Sequence, residues 1–143
     1  MSLSMSRDER EQFLADLHVG VLTVAAADGR GPLAVPVWYS YQPGGVVSVT
    51  SGGDSRKAAA IRVAGRASFC VQYELPPYRY VTVEGPAVVE QGAEFTERRD
   101  IARRYLGTEQ GDKFMADNPD TDDVMIRITP ERWLTADFGK QGS

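Results

Sequence analysis

Val19-Gly-Val-Leu-Thr-Val-Ala-Ala26, Leu33-Ala-Val-Pro-Val-Trp-Tyr-Ser-Tyr41 and Val46-Val-Ser-Val-Thr50 are short runs rich in Val, Thr and aromatic residues. Asp28-Gly29 and Pro43-Gly44-Gly45 separate them, and turn residues at that spacing predict antiparallel strands joined as hairpins in a meander. Working outward, strands are predicted again at Arg66–Tyr73 and Tyr80–Gln91, on either side of Glu74-Leu-Pro-Pro-Tyr78, whose prolines cannot join a ladder. Gly85-Pro86 predicts a bulge or bend within the second of these. Val124–Thr129 and Trp133–Asp137 bring the total to about seven strands. So many short strands in one open sheet would leave long exposed edges, so a closed or half-closed antiparallel barrel is the economical fold.

Helices punctuate the strands. Ser6-Arg-Asp-Glu9 is a capping box, and Phe13, Leu14 and Leu17 share one face of the helix it opens, predicted over about 6–18. His18, at its exit, reads as a structural or solvated histidine. Asp54 or Ser55 caps a second helix over Arg56–Val63, which Gly65 ends. A third is predicted over Glu94–Leu106, with Phe95, Ile101, Tyr105 and Leu106 on or near its buried side, and a fourth over Glu109–Ala116. Arg98, Arg99, Arg103 and Arg104 alternate with Glu94, Glu97 and Asp100 at salt-bridge spacing, which predicts a solvated, self-paired face. The fold class is therefore mainly β with helices, α+β. Its expected layout is one domain over residues 1–143, with the barrel at about 19–138 and a short C-terminal tail.

Composition narrows the chemistry. With 42% hydrophobic and 25% charged residues, the chain has the balance of one globular core. A net charge of −4 gives no global field for nucleic acid or anionic membrane. One cysteine, Cys70, rules out an intrachain disulfide and any CxxC pair, and one histidine rules out multi-imidazole metal sites and most triads. No metal site is expected. No run approaches the ~20 apolar residues of a membrane span, and the polar start is no signal peptide, so a cytoplasmic protein is expected.

Three stretches could carry chemistry. Thr50-Ser-Gly-Gly-Asp-Ser-Arg-Lys57 joins a strand end, glycines, hydroxyls and two cations to a helix N-terminus, where free amides favour an anion such as phosphate. It also reads as a capped surface helix with two solvated cations. Ala34-Val-Pro-Val-Trp-Tyr39 places Pro36, which has no N–H, in mid-strand. Such a strand is an edge, a bulge, or a place where a planar ligand approaches, with Val35 and Val37 backbone groups and Trp38 at hand. Tyr78-Arg-Tyr80 can stack on a ring and hold an acid group, or line a barrel rim. Gly29-Arg-Gly31 lacks the rest of a dinucleotide fingerprint, and Asp117–Asp123 lacks the spacing of an EF-hand.

In their order and spacing, these stretches resemble the pyridoxamine 5′-phosphate oxidase-like superfamily of FMN-binding split barrels over about Met5 to Phe138. Gly20-Val-Leu-Thr-Val24, Pro36-Val-Trp-Tyr39, Ser55-Arg-Lys57 and Arg79-Tyr-Val-Thr-Val-Glu-Gly85 carry the likeness. Within the superfamily, the chain is most similar to the short actinobacterial reductases that use the deazaflavin coenzyme F420, including biliverdin-reductase-like members. The resemblance implies a homodimer with cofactor sites at the interface and hydride transfer to an unsaturated or conjugated small molecule, tetrapyrroles included. Ser55, Arg56 and Lys57 would bind the cofactor phosphate, with Thr50 and Ser51 lining the same end. Val35, Pro36, Val37 and Trp38 would face the ring, and Tyr78, Arg79 and Tyr80 would reach the site from the second subunit. Some relatives carry an arginine two residues before the lysine, where this chain has Ser55, which makes Lys57 the principal residue of the triplet. No catalytic acid or base stands out. FMN is the alternative cofactor, in an oxidase-like enzyme or in a flavin-binding protein without catalysis, and a plain dimeric barrel with Arg56 and Lys57 on its surface stays open.

Overall fold

A computed structural model describes residues 2–119 and 122–141. In chain order the elements are α1 (Arg7–Ala15), β1 (Gly20–Val24), β2 (Leu33–Val37), β3 (Val47–Gly52), α2 (Arg56–Ala64), β4 (Arg66–Tyr73), β5 (Arg79–Gln91), α3 (Phe95–Leu106), α4 (Thr108–Asp117), β6 (Asp123–Ile128) and β7 (Arg132–Asp137). A 3₁₀ turn at Phe138–Lys140 follows. The strands form one curled antiparallel sheet in the order β2-β1-β4-β5-β6-β3, with β7 also on β5. This is an α+β split barrel.

The barrel pivots on β5, whose 13 residues exceed any other strand. Its first part, Arg79 to Glu84, lies between β4 and β7, and Ala87 to Gln91 pairs with β6. The irregularity predicted at Gly85-Pro86 falls on the opposite chain. The β4–β5 register runs unbroken, whereas Thr129, Pro130 and Glu131 face Gly85 and Pro86 between the flanking pairs Ala87↔Ile128 and Glu84↔Arg132. That extra residue lets β6 and β7 bend as one edge around β5. The crossing is close, since a Cβ on Gly85 would lie 1.8 Å from the Thr129 carbonyl oxygen.

Inside the curl, Leu22, Tyr39, Val47, Val49, Phe69, Val81, Val83, Ile126 and Ile128 are fully buried. Each large apolar side chain so buried contributes about 1.5–3 kcal/mol relative to exposure. α1 closes one end of this core with Phe13 and Leu14, and α2 sits against it through Ile61. The capping box forms both bonds: Ser6 N–H donates to Glu9 Oε1 at 2.9 Å, and Glu9 N–H donates to Ser6 Oγ at 3.2 Å.

α1 stops at Ala15, before Leu17, which is 59% exposed rather than buried. Tertiary caps end it: Tyr39 Oη donates to Leu14 O at 2.6 Å, and Arg104 donates to the carbonyls of Ala15 and Asp16 at 3.2 and 2.8 Å. His18 is structural, its Nε2 being 2.8 Å from Phe13 O and its ring packed on Phe13. Facing a carbonyl, that nitrogen carries the proton.

Three of the four arginines of α3 also depart from the sequence expectation. Arg98 pairs with Asp123 on β6, Arg103 with Asp112 on α4, and Arg104 with the end of α1, while Glu97 takes Arg127 from β6. Arg98, Arg103 and Arg104 tether α3 to its neighbours, while Arg99 pairs along it with Asp100 at 3.0 Å. α3 buries Ile101 and Ala102, leaving Phe95 and Leu106 59% and 39% exposed. Among the described residues, no helix is long and apolar enough to cross a membrane.

Candidate functional site

The ends of the curled sheet, β2 and β3, meet only where Ser40 and Ser48 form an isolated antiparallel bridge, with mutual N–H···O distances of 2.9 and 3.0 Å. Continued along both chains, that register would place Trp38 against Thr50, Val37 against Ser51 and Pro36 against Gly52. Those pairs do not form. β2 pairs with β1 and β3 pairs with β6, so the two edges part beyond the bridge. The parting begins before Pro36 is reached, since Trp38 has an N–H and yet does not pair with Thr50; Pro36, which has none, could not extend the ladder at its own position.

A cleft of about 620 Å³ fills the gap. Its β walls are Pro36, Val37 and Trp38 on one side and Thr50, Ser51 and Gly52 on the other. The α3–α4 hairpin roofs it with Ile101, Ala102, Phe114 and Met115, and Val19 completes the apolar lining. Trp38 is clamped from behind: Tyr105 stacks on it at 5.0 Å with planes 8° apart, and Phe114 tilts against it at 5.4 Å. The Tyr105 hydroxyl donates to His18 O at 2.6 Å and accepts from Tyr39 N–H at 3.1 Å, fixing the stack to the backbone.

The polar end is built at the start of α2. Ser55 Oγ accepts from Ala58 N–H at 3.1 Å, and Ser55 O accepts from Ala59 N–H at 3.1 Å. Of the four amides a helix start leaves without helical partners, those of Arg56 and Lys57 are left for a ligand. Ser51 Oγ and Ser55 Oγ are 2.6 Å apart, which makes one rigid unit of strand end and helix cap. Lys57 lines the cleft, as does Arg98, whose Nε donates to Asp123 Oδ2 at 2.8 Å and whose Nη2 donates to Asn118 O at 3.1 Å. Aligned amides and cations at one end of an apolar slot make a receptor for a flat ring bearing a phosphate.

The structure therefore brings together Pro36, Val37, Trp38, Thr50, Ser51 and Lys57. It separates others. Val35 packs against the hydrophobic core, on the opposite side of β2 from Pro36. Arg56 lines a different cleft with Asp28, Arg30 and Val63, because successive helical residues point about 100° apart. Ser55 acts as cap and brace. Tyr78, Arg79 and Tyr80 line no part of the cleft in this chain, and the Arg79 guanidinium lies over the rings of Tyr73 and Phe13 at 4.9 and 5.2 Å.

Residues that sequence reasoning missed come mainly from the hairpin roof: Arg98, Ile101, Ala102, Phe114 and Met115, together with Asp123. A signal for part of it was present. Arg98, Ile101, Ala102 and Tyr105 follow helical spacing, so an apolar stripe headed by an arginine runs along α3.

Split barrel, proline-held cleft and anion-accepting helix start define a class of small cofactor-binding barrel. The family model described as pyridoxamine 5′-phosphate oxidase matches residues 6–137, and the chain belongs to that family. The fold is similar to that of the conserved hypothetical protein Rv2991 from Mycobacterium tuberculosis (TM-score 0.80, 26% identity, 99% of this chain and 91% of that one). It is also similar to a structure named F420 reductase (TM-score 0.70, 21% identity, 87% and 94%). A FAD-binding protein from Mesorhizobium loti shares the fold as well (TM-score 0.64, 22% identity, 92% and 94%). A comparison with curated proteins finds no match.

Proposed function

We propose that the cleft between β2 and β3 holds the deazaflavin coenzyme F420 and that the protein is an oxidoreductase acting on an unsaturated or conjugated small molecule, tetrapyrroles among the candidates. The observation that carries this reading is the failure of the two edges to zip past Ser40↔Ser48, which leaves an apolar slot ending at Lys57 and the start of α2. The volume lies within the ~300–1,000 Å³ of cofactor pockets. When bound, the deazaflavin supplies the hydride. Lys57 and the amides of Arg56 and Lys57 hold the phosphate, and Thr50 and Ser51 line that end. Trp38 and Phe114 present an apolar wall that excludes water and orients the ring. The contribution of these residues on this reading is positioning.

The reading includes a homodimer. Across the outer sheet face, Pro36, Val21, Cys70, Thr82 and Leu134 stand in register on β2, β1, β4, β5 and β7. Leu134 is 63% exposed. Tyr80 lies two residues from Thr82 on the same face, and the row ends at Pro36, on the lip of the cleft. A second copy seated there would bring its Tyr80 toward this chain's cleft.

The same phosphate corner would serve FMN, so an FMN enzyme or a non-catalytic flavin-binding protein is the competing reading, and parallel titration with coenzyme F420 and FMN decides. The expected result is tighter binding of F420, with hydride transfer to a conjugated acceptor; tighter binding of FMN overturns the cofactor assignment, and binding of neither overturns the site.

A further inference from the structure

We propose that Arg98 binds the polar tail of the cleft's guest, reaching it from the roof through Nη1, the one nitrogen of its guanidinium that the protein leaves unengaged. The inference rests on the cofactor site proposed above and adds to it a contact from α3. Arg98 heads the stripe that runs through Ile101 and Ala102 to Tyr105, and seven residues of helix at ~1.5 Å each set the ends of that stripe about 10 Å apart. At one end Tyr105 stacks on Trp38. At the other, Arg98 is bonded to Asp123, which pairs with Gly52 at the end of β3, just before the Ser55 cap of α2. Arg98 therefore stands at the polar end of the slot, the end of Lys57 and the α2 amides, and away from the ring-lined end at Trp38.

The donors of Arg98 can be followed one by one. Nε donates to Asp123 Oδ2 at 2.8 Å and Nη2 to Asn118 O at 3.1 Å, whereas Nη1 makes no hydrogen bond among the described residues. The side chain is only 9% exposed. Even so, the buried side-chain nitrogens without a partner are Arg10 Nε and Arg104 Nε, so Nη1 keeps part of that small exposed area. In a side chain that lines the cleft, that area opens on the cleft. A guanidinium is a rigid fork, so holding Nε and Nη2 also fixes the direction in which the Nη1 hydrogens point. The Asp123 carboxylate offsets the charge of its partner, so the net attraction for an anion stays with Lys57 and the first amides of α2. What Arg98 adds is a directed hydrogen bond. The acceptor that suits its placement is an oxygen of the guest's tail, on the chain or on the phosphate.

The test titrates each ring with and without its tail: FMN, riboflavin and lumiflavin, and coenzyme F420 beside the same deazaflavin ring bearing only a methyl group. Arg98→Lys keeps a cation beside Asp123 but replaces the fork with a single point donor. It is expected to weaken FMN and coenzyme F420 about tenfold while leaving both bare rings within about twofold. Riboflavin locates the acceptor: a loss equal to that of FMN puts it on the chain, and no loss puts it on the phosphate. Equal losses for tailed and bare rings overturn the proposal, because a displaced roof weakens both alike, and so does an unchanged Kd for the tailed ligands. Should Arg98→Lys fold poorly in thermal unfolding, side-chain NMR of the unmodified protein decides. The Arg98 guanidinium signals are expected to shift with the tailed ligands and not with the bare rings, and an equal response to both overturns the contact. Binding of neither FMN nor coenzyme F420 refutes the cofactor site itself, a different outcome from loss of the tail contact.

Discussion

Lys57→Ala and Arg56→Ala form a matched pair in which neighbouring cations have opposite consequences. Lys57 lines the cleft at the second residue of α2, whereas Arg56, at the first, lines the separate cleft beside Asp28 and Arg30. The cap that starts α2 depends on Ser55, and the brace to β3 depends on Ser51 and Ser55, so neither substitution removes a bond that holds the corner together. A hydrogen bond to a charged group contributes about 1.5–3 kcal/mol. The cleft opens to solvent and Lys57 is only half-buried, so the lower half of that range applies, a weakening of roughly tenfold to fortyfold in Kd for Lys57→Ala. Arg56→Ala acts only through a screened field and is expected to stay within about twofold at physiological ionic strength. The assay is a fluorescence titration with coenzyme F420, with thermal unfolding measured on both variants to confirm the fold. Equal losses in the two variants would refute the argument, since they would mean that Arg56 reaches the same phosphate. An unchanged Kd for Lys57→Ala would remove the anion corner altogether.

Gly85→Ala places a methyl group 1.8 Å from the Thr129 carbonyl oxygen, against backbone that cannot rotate away. A loss of about 3 kcal/mol or more is expected, read from urea unfolding, and a midpoint equal to that of the unmodified chain would contradict the crossing of β5 by residues 129–131. Glu9 is held at a pKa of about 2, first by the Lys140 ammonium and then by the Ser6 amide and hydroxyl. A carboxylate whose pKa is depressed on folding contributes stability above its unfolded value and loses it as pH falls through the folded one, so Glu9→Gln should flatten the acid limb between about pH 4.5 and 2. An acid limb of unchanged slope counts against the capping box and its Lys140 contact. Leu134→Lys should convert an assembly of twice 15.7 kDa into monomer in sedimentation, and a native protein already monomeric at micromolar concentration would argue against the shared interface.

The strands were legible because turn residues bound them: β4 falls where its residues predict it, and β1, β2 and β3 differ by a few residues at their ends. The placement of Lys57 was legible too, because a strand end, a cap and a cation are local in sequence. What escaped is long-range. Arg98 reads as one of four arginines on a charged helix, and only the docking of α3 against β6 turns it toward Asp123, 25 residues away. Phe95 and Leu106 satisfy the apolar pattern of α3, yet the helix buries Ile101 and Ala102 and packs Tyr105 on the barrel instead, and periodicity does not say how wide the buried stripe is. The end of α1 was hidden for a similar reason: Tyr39 and Arg104, far along the chain, take the carbonyls that another helical turn would have used.

The split itself follows from the way this sheet handles its edges. A seven-stranded antiparallel sheet that curls without closing leaves two rows of unpaired backbone groups facing each other, and such rows invite pairing. Full closure here would need only the register already set by Ser40↔Ser48 to continue by a few residues. Pro36 removes a donor where the third of those pairs would form, and the exposed glycine opposite it, Gly52, offers no side chain to pack across the seam. The edges are then managed from outside: α3 and α4 lay Ile101, Ala102, Phe114 and Met115 over the gap, while α2 begins at its polar end. A slot so formed has backbone polar groups along two walls, an apolar roof and an anion receptor at one end. A planar heterocycle with a phosphate tail meets all of these demands together, its ring edge toward the unpaired strands, its face toward Trp38 and its phosphate at Lys57. On the proposed reading a bound cofactor would take the place of the missing strand pairing, with Pro36 keeping its own stretch of the edge from closing.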